Sequence, residues 1–119
     1  MAVQKFDDLI DWQKSQDTAV FIYVKFNKLA DFDFRDQICR AVVSISNNIV
    51  EGFEKGSNRD FTRFLRIAKG SCSEVKSMLY LAKCLSFMSE ADQITGLQQA
   101  AEIGKILNGL IKSMQPPVP

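Results

Sequence analysis

The apolar residues of this 119-residue chain recur every three or four positions, the spacing of one face of an α-helix. The clearest run lies in the middle of the chain and consists of Ile38, Val42, Ile45 and Ile49. Three further stretches follow the same period, and short polar or glycine-containing links separate them. The pattern predicts four helices, over about residues 8–29, 34–53, 58–87 and 90–114.

Polar residues at the expected helix starts agree with these boundaries. Asp33 is the predicted N-cap of the second helix, since its carboxylate can accept from a free amide of the first turn. Ser57 and Asp60 have the spacing of a capping box at the start of the third helix. Ser89 and Asp92 repeat that spacing before the fourth helix.

Four helices joined by short links, without a strand pattern, predict an all-α fold, an antiparallel up-and-down four-helix bundle. At this length we expect one domain, which covers residues 1–114. Residues 115–119 contain three prolines and cannot continue a helix, so we expect a flexible proline-rich tail there.

The first two helices carry more apolar faces than a monomeric bundle needs. The expected core residues of the first helix are Leu9, Trp12, Ala19, Tyr23 and Phe26. A second apolar set lies on other faces of helices one and two, and we predict that it forms a subunit interface, although single exposed apolar side chains are also normal. This set consists of Ile10, Phe21, Val24, Cys39, Val43 and Val50.

Composition and charge exclude several classes of protein. The formal net charge is +1, so no global field attracts nucleic acid or anionic lipid. Histidine is absent, which removes the commonest general base and zinc ligand, and we expect no metal and no cofactor. The longest apolar run, residues 19–24, is far below the roughly 20 residues that span a bilayer. Three cysteines without CxxC spacing indicate free buried thiols in a cytoplasmic protein.

Basic residues concentrate in the middle of the chain, where residues 34–76 carry eight bases against five acids. Guanidinium groups suit phosphate, so these residues predict weak, salt-sensitive binding of RNA or a ribonucleoprotein. The alternative is a solvated face with Asp60 and Glu54 as its partners. The candidate contacts are Arg40, Lys55, Arg59, Arg63, Arg66 and Lys69.

A row of hydrogen-bonding residues connects the second and third predicted helices. Half-buried polar groups need partners, so we interpret the row as a structural network that fixes the register of the two helices. No nucleophile–base pair, metal-ligand set or phosphate loop accompanies its carboxylates, and we expect no catalytic activity. The network residues are Arg40, Ser44, Asn48, Glu51, Ser71 and Glu74.

Short motifs in helices two and three carry a resemblance to a known family. They are Asp36-Gln37-Ile38, Arg40-Ala41, Ser44-Ile45, Asn48-Ile49, Glu51-Gly52, Phe61-x-Arg63-Phe64-Leu65, Ile67-Ala68 and Gly70-Ser71-x-x-Glu74. With these motifs the chain resembles the 23S rRNA intervening-sequence proteins, most clearly from Trp12 to Leu85.

The resemblance implies an up-and-down bundle that assembles as a homo-oligomeric ring, commonly a homopentamer, and a biochemical role that is generally unassigned. Two functions follow as alternatives. The first is a non-catalytic scaffold with RNA or a ribonucleoprotein as partner. The second is a protein-binding adaptor with no nucleic-acid role. RNA retention that falls steeply with salt would favour the first, and a protein partner retained after nuclease treatment the second.

Overall fold

The computed structural model describes residues 5–116, and these residues fold into helices without any strand. A short 3-10 turn at Phe6–Asp8 precedes four long helices. They are α1 (Ile10–Phe26), α2 (Phe32–Glu54), α3 (Asn58–Cys84) and α4 (Glu90–Ser113). Within the described part, no helix is long and apolar enough to cross a membrane.

The helices form an antiparallel up-and-down four-helix bundle, which confirms the predicted fold. Each helix packs against two neighbours in the cyclic order α1, α2, α3, α4, and the diagonal pairs do not approach closely within residues 5–116. The bundle measures 50 × 27 × 23 Å. Residues 117–119 of the predicted tail and residues 1–4 lie outside the described residues.

The core follows the predicted apolar stripe of α2, and α3 and α4 bury apolar residues at the same helical spacing. Ile38, Val42, Ile45 and Ile49 of α2 are fully buried. On α3 and α4 the buried apolar positions also recur at helical spacing; they include Leu65, Ala68, Val75, Leu79, Ala100, Ile103 and Leu107. Because these residues face one another across the bundle, their burial supplies the main stabilising term of the fold.

The core face of α1 differs from the predicted one. Tyr23 was expected in the core, but 48% of it is exposed. The inner face instead begins with buried polar residues and ends with Ile22 and Phe26, which are fully buried. Tyr23 follows Ile22 by one residue, so its side chain is rotated by about 100° around the helix axis. This rotation places Tyr23 outside the inner face of α1.

Capping explains where the helices begin. Ser57 Oγ accepts from the Asp60 amide at 3.1 Å, and Ser89 Oγ accepts from the Asp92 amide at 3.1 Å. Both predicted capping serines are thereby confirmed. The predicted cap at Asp33 is wrong, because Asp31 Oδ1 accepts from the Phe34 amide at 3.0 Å and α2 begins at Phe32.

The third helix ends at Cys84, three residues before its predicted end. Ser86 adopts a left-handed conformation with φ 61°, and the Phe87 amide donates to the Ala82 carbonyl at 2.8 Å. This pattern is a Schellman motif, which satisfies the last carbonyls of a helix and ends it. The Phe87 ring then packs edge-on against Phe34, with ring centroids 5.1 Å apart.

The two ends of the bundle are defined by these links. At the α1–α2 end, α1 and α3 finish while α2 and α4 begin, and Phe26 lies 5.7 Å from Phe34 between ring centroids. At the opposite α2–α3 end, Phe53 and Phe61 pack with their ring centroids 5.8 Å apart.

The contact between α1 and α4 is the least extensive of the four helix interfaces. Lys14 Nζ lies 2.7 Å from Glu102 Oε1 across it, and this hydrogen bond raises the pKa of Lys14. Lys25 Nζ lies 3.2 Å from Asp92 Oδ1 nearer the α1–α2 end. The first and last helices therefore meet along a seam held partly by ion pairs at its edges.

Candidate functional site

Three arginines line an open hollow at the start of α3. Arg59, Arg63 and Arg66 follow one another at intervals of four and three residues, so they share one face of the helix. Asp60 and Thr62 complete the lining. All three arginines are exposed, which leaves their guanidinium groups accessible to an external anion.

The contacts that Arg63 makes within the chain are weak, and we call the site formed by the three arginines the arginine hollow. Arg63 Nη2 is 3.9 Å from Asp60 Oδ1, a weak pair between exposed groups. The Arg63 guanidinium also stacks over the Phe64 ring, 4.5 Å from its centroid. Positive side chains at a helix N-terminus oppose the helix dipole, so α3 itself gains no stability from their placement.

The structure separates the predicted nucleic-acid residues into two places. Lys55 lies at the same end as the arginine hollow, with Nζ 5.9 Å from the Phe64 ring centroid, and Lys69 is exposed further along α3. Arg40 is distant from this group, because 15 residues of α2 between it and Lys55 span about 22 Å. It lines a second hollow between α1 and α2 instead, with Tyr23 and other residues there.

The predicted polar network is smaller than expected. Asn48 Nδ2 donates to the Ser44 carbonyl at 2.8 Å and to Ser44 Oγ at 3.0 Å. Ser44 Oγ in turn lies 2.9 Å from Ser71 Oγ on α3, a hydrogen bond in which either hydroxyl can donate. These three residues connect α2 to α3 as the sequence predicted.

The charged members of that network do not take part in it. Arg40, Glu51 and Glu74 are all exposed, and no ion pair among residues 5–116 includes them. Exposed carboxylates on neighbouring helices are well solvated, so water satisfies them without a protein partner. Arg40, Glu51 and Glu74 therefore do not join the predicted network within the single chain.

The predicted subunit-interface residues differ in how much surface they offer. Ile10 and Val24 are exposed, while Val43 and Val50 are half-buried. Two residues of the set are covered by the chain itself, namely Cys39, which is buried, and Phe21, which packs against the core. The Phe21 ring lies against the α4 backbone, where its Cε2 atom would be 3.3 Å from a Cβ at position 96.

A row of buried polar residues on α1 was not predicted from the sequence. Asp11, Ser15 and Thr18 continue the buried positions Ile22 and Phe26 backward at intervals of four, three and four residues. The helical period extended toward the start of the chain is the signal that finds them. Ser15 Oγ donates to the Asp11 carbonyl at 2.6 Å, so that hydroxyl is satisfied within the helix.

Asp11 and the two buried cysteines have raised pKa values, and burial is the largest cause for each. A raised pKa keeps the Cys39 and Cys72 thiols protonated and makes them poor nucleophiles. Cys72 Sγ donates to the Ala100 carbonyl at 3.1 Å, a contact between α3 and α4. In residues 5–116, no group of three or more His, Cys, Asp or Glu residues is placed to hold a metal ion.

Comparison with known proteins connects this bundle to one family. The family description 23S rRNA-intervening sequence protein matches residues 7–109. A crystal structure of a protein with unknown function, from the S23 ribosomal protein family of Bacteroides thetaiotaomicron, superposes with a TM-score of 0.81 and 29% sequence identity. The match covers 87% of this chain and 99% of that chain. No curated protein matches. The chain belongs to the 23S rRNA-intervening sequence protein family.

Proposed function

We propose that this protein is a non-catalytic, cytoplasmic scaffold that assembles with itself into a ring, commonly of five copies, and binds RNA or a ribonucleoprotein weakly. The single observation that supports RNA binding is the arginine hollow, where three exposed guanidinium groups share one face of α3. Guanidinium groups bind phosphate well. Family membership favours an RNA partner over other polyanions.

The contacts around the hollow determine how strong this binding would be. Only one carboxylate, Asp60, lines the hollow, and its pair with Arg63 at 3.9 Å is weak. The net charge of +1 adds no long-range attraction. Binding by one copy would therefore be weak, and a ring that presents several hollows to one RNA would strengthen it through avidity.

The test is RNA binding measured against salt concentration, combined with the mass of the purified protein. A single-stranded RNA should bind at low salt and dissociate as salt rises. Each phosphate contact adds about 0.7 to the log–log slope, so Arg63→Ala together with Arg66→Ala should lower the slope by about 1.4. Lys105→Ala with Lys112→Ala removes the same charge from exposed positions of α4 and is the matched control.

Two results would contradict the RNA proposal: no binding at low salt, or equal weakening by the arginine and lysine pairs. Equal weakening would mean that net charge alone attracts the RNA. For assembly, light scattering should give a multiple of the 13.4 kDa chain mass, near five for the ring. A mass equal to one chain would contradict the proposed scaffold.

A protein-binding adaptor is the second candidate, and a separate observation favours it. Exposed large apolar side chains collect at the α1–α2 end, away from the arginine hollow. They are Val20, Tyr23, Val24, Phe32, Tyr80, Leu81, Leu85 and Ile94. Exposed large apolar side chains at one end of a bundle are candidates for a protein contact. A bound protein retained after nuclease treatment, without any RNA affinity, would select this function.

A further inference from the structure

The outer face of α2 carries a second regular row, distinct from the core stripe. Its members follow one another at alternating intervals of four and three residues, the spacing of a heptad seam. They are Asp36, Arg40, Val43, Asn47, Val50 and Glu54, and we call this set the outer row. Arg40, Asn47 and Glu54 are exposed, while both valines are half-buried.

The exposed members of the outer row point away from the bundle core, while Val43 is half-buried and packs against the core. Asn47 lies two residues from each of the fully buried Ile45 and Ile49, a rotation of about 200° around the helix. Its polar ends and central valines make a narrow, partly apolar strip. No other helix of the chain covers the exposed members within the described residues, so the strip is available to a partner.

The row is complementary to itself when two copies run in opposite directions. Arg40 and Glu54 are 14 residues apart, about 21 Å or four helical turns, and Asn47 lies midway between them. In an antiparallel pair, Arg40 of each copy therefore lies opposite Glu54 of the other copy. Neither Arg40 nor Glu54 has an ion-pair partner within residues 5–116.

The central residues also match in this arrangement. Val43 of one copy faces Val50 of the other, which buries apolar surface at two symmetric places. Asn47 faces Asn47, and two amides can donate to and accept from each other. A polar residue at one seam position favours one register, because a shift to the neighbouring seam position leaves Asn47 opposite a valine. A parallel arrangement would instead oppose Arg40 to Arg40, which is repulsive.

We infer that the outer row of α2 is a docking surface for a second copy of this chain, packed antiparallel about a two-fold axis at Asn47. The inference rests on the proposed self-association and specifies one of its contacts. Such a contact is isologous and joins copies in pairs, whereas a five-membered ring needs a heterologous contact on another face. The outer row would therefore pair two chains or two rings.

Charge exchange tests the pairing directly. Arg40→Glu opposes carboxylates at both ends of the antiparallel pair, and Glu54→Arg opposes guanidinium groups. Each variant alone should show half of the wild-type assembled mass by light scattering. An equimolar mixture of the two variants restores both ion pairs and should recover the full mass. The double variant Arg40→Glu with Glu54→Arg should also recover it.

Lys105→Glu reverses one exposed charge on α4, outside both the outer row and the arginine hollow, and should leave the assembled mass unchanged. Circular dichroism of every variant checks that it is folded. Failure of the mixture to regain mass would overturn the inference, as would a wild-type mass that Arg40→Glu leaves unaltered. A fall to single chains from a five-copy ring would also overturn it, because the row would then belong to the ring contact.

The wild-type mass separates this inference from the proposed ring. A wild-type mass of two chains would support pairing through the outer row and contradict the proposed ring. A mass of five chains would support the ring and contradict pairing through the outer row. A mass of ten chains that Arg40→Glu reduces to five would support both. Single chains up to about 1 mM, where even a contact of about 4 kcal/mol would be half formed, would remove both.

Discussion

The carboxyl group of Asp11 lies inside the bundle with no exposed surface. Its Oδ1 atom accepts from the Trp12 amide at 3.1 Å, while Oδ2 has no hydrogen-bond partner. Burial raises the pKa of Asp11, and the Trp12 hydrogen bond only partly opposes this. No charged side chain contributes to the shift. The fold therefore favours the protonated form of this residue.

Asp11 should make the protein lose stability as the pH rises from acid values. The unfolded chain releases this proton near the ordinary aspartate pKa of about 3.9, while the folded chain retains it to a higher pH. Above about 3.9 the folded state binds more protons, so the free energy of unfolding falls as pH rises through the raised folded pKa. Asp11→Asn should remove this fall, as measured by urea unfolding across the acidic range.

Asp17→Asn is the matched control, because Asp17 is exposed on the same helix. Its pH profile should keep the wild-type slope. Profiles of wild type and Asp11→Asn that run parallel from acid to neutral pH would show that Asp11 is ionised in the folded state.

Apolar periodicity was a reliable guide to buried residues in α2 but not in α1, where Tyr23 is exposed, and polar periodicity was a poor guide to hydrogen bonding. Ile38, Val42 and Ile45 were predicted in the core and are fully buried, because removal from water is sufficient reason for an apolar residue to be there. Glu51 and Asn48 occupy similar polar positions in sequence, yet only Asn48 is hydrogen-bonded. Water and protein partners are nearly equivalent for polar groups, so spacing alone does not distinguish them.

Helix contact at the α2–α3 end depends on a glycine in α2. A Cβ built at Gly52 would lie 2.5 Å from Phe64 Cβ and 3.2 Å from Phe61 Cδ1. Phe64 Cβ is fixed to the α3 backbone, so it cannot move aside without moving the helix. On α3, by contrast, a Cβ at Gly70 would meet nothing within 4 Å.

Alanine substitutions at these two glycines should have opposite effects. Gly52→Ala should destabilise the bundle by roughly 1–3 kcal/mol, because overpacking forces α2 and α3 apart. Gly70→Ala should stabilise it by up to about 1 kcal/mol, because alanine has the higher helix propensity. Urea unfolding of both variants provides the measurement. Equal shifts in one direction would mean that propensity alone controls both sites.

Element boundaries were predictable where the chain offered one capping residue. Ser57 and Ser89 each stand alone before a helix, and both cap it. Before α2 the chain offers Asp31 and Asp33, and sequence gives no reason to choose between two carboxylates two residues apart. In the structure Asp31 caps α2, and Phe34 of its first turn packs against Phe26 and Phe87, a tertiary contact that the local sequence does not show.

The three-arginine cluster and most of the exposed large apolar groups lie far apart in the molecule. The arginine hollow lies at the α2–α3 end, and most exposed large apolar side chains in residues 5–116 lie at the α1–α2 end. Arg40 belongs to neither group. This separation was not predictable from the charge of residues 34–76, because helix direction places residues close in sequence far apart in space.

Val24→Glu should disperse the assembly without unfolding the chain. Val24 is 61% exposed, so a charge there should change the free energy of unfolding by less than about 0.5 kcal/mol. If α1 provides the ring contact, the same charge is buried between copies and should reduce the assembled mass. Light scattering and urea unfolding measure the two effects. Gln16→Glu, at another exposed position of α1, is the control.

A contradictory outcome for Val24→Glu would be wild-type mass at every concentration. The ring contact would then lie on a different helix. Loss of folded structure would equally contradict the exposure of Val24 in the single chain.

The seam between α1 and α4 determines how the folded state opens. It joins the first and last helices through the least extensive interface of the bundle, with two ion pairs at its edges. We therefore expect α1 to separate first, because it also packs less extensively on α2 than α4 does on α3. In hydrogen exchange, backbone amides of α1 should lose protection before those of the α2–α3 hairpin, which has the most extensive helix contact. The first helix is thus the element that we expect to separate most readily from the other three.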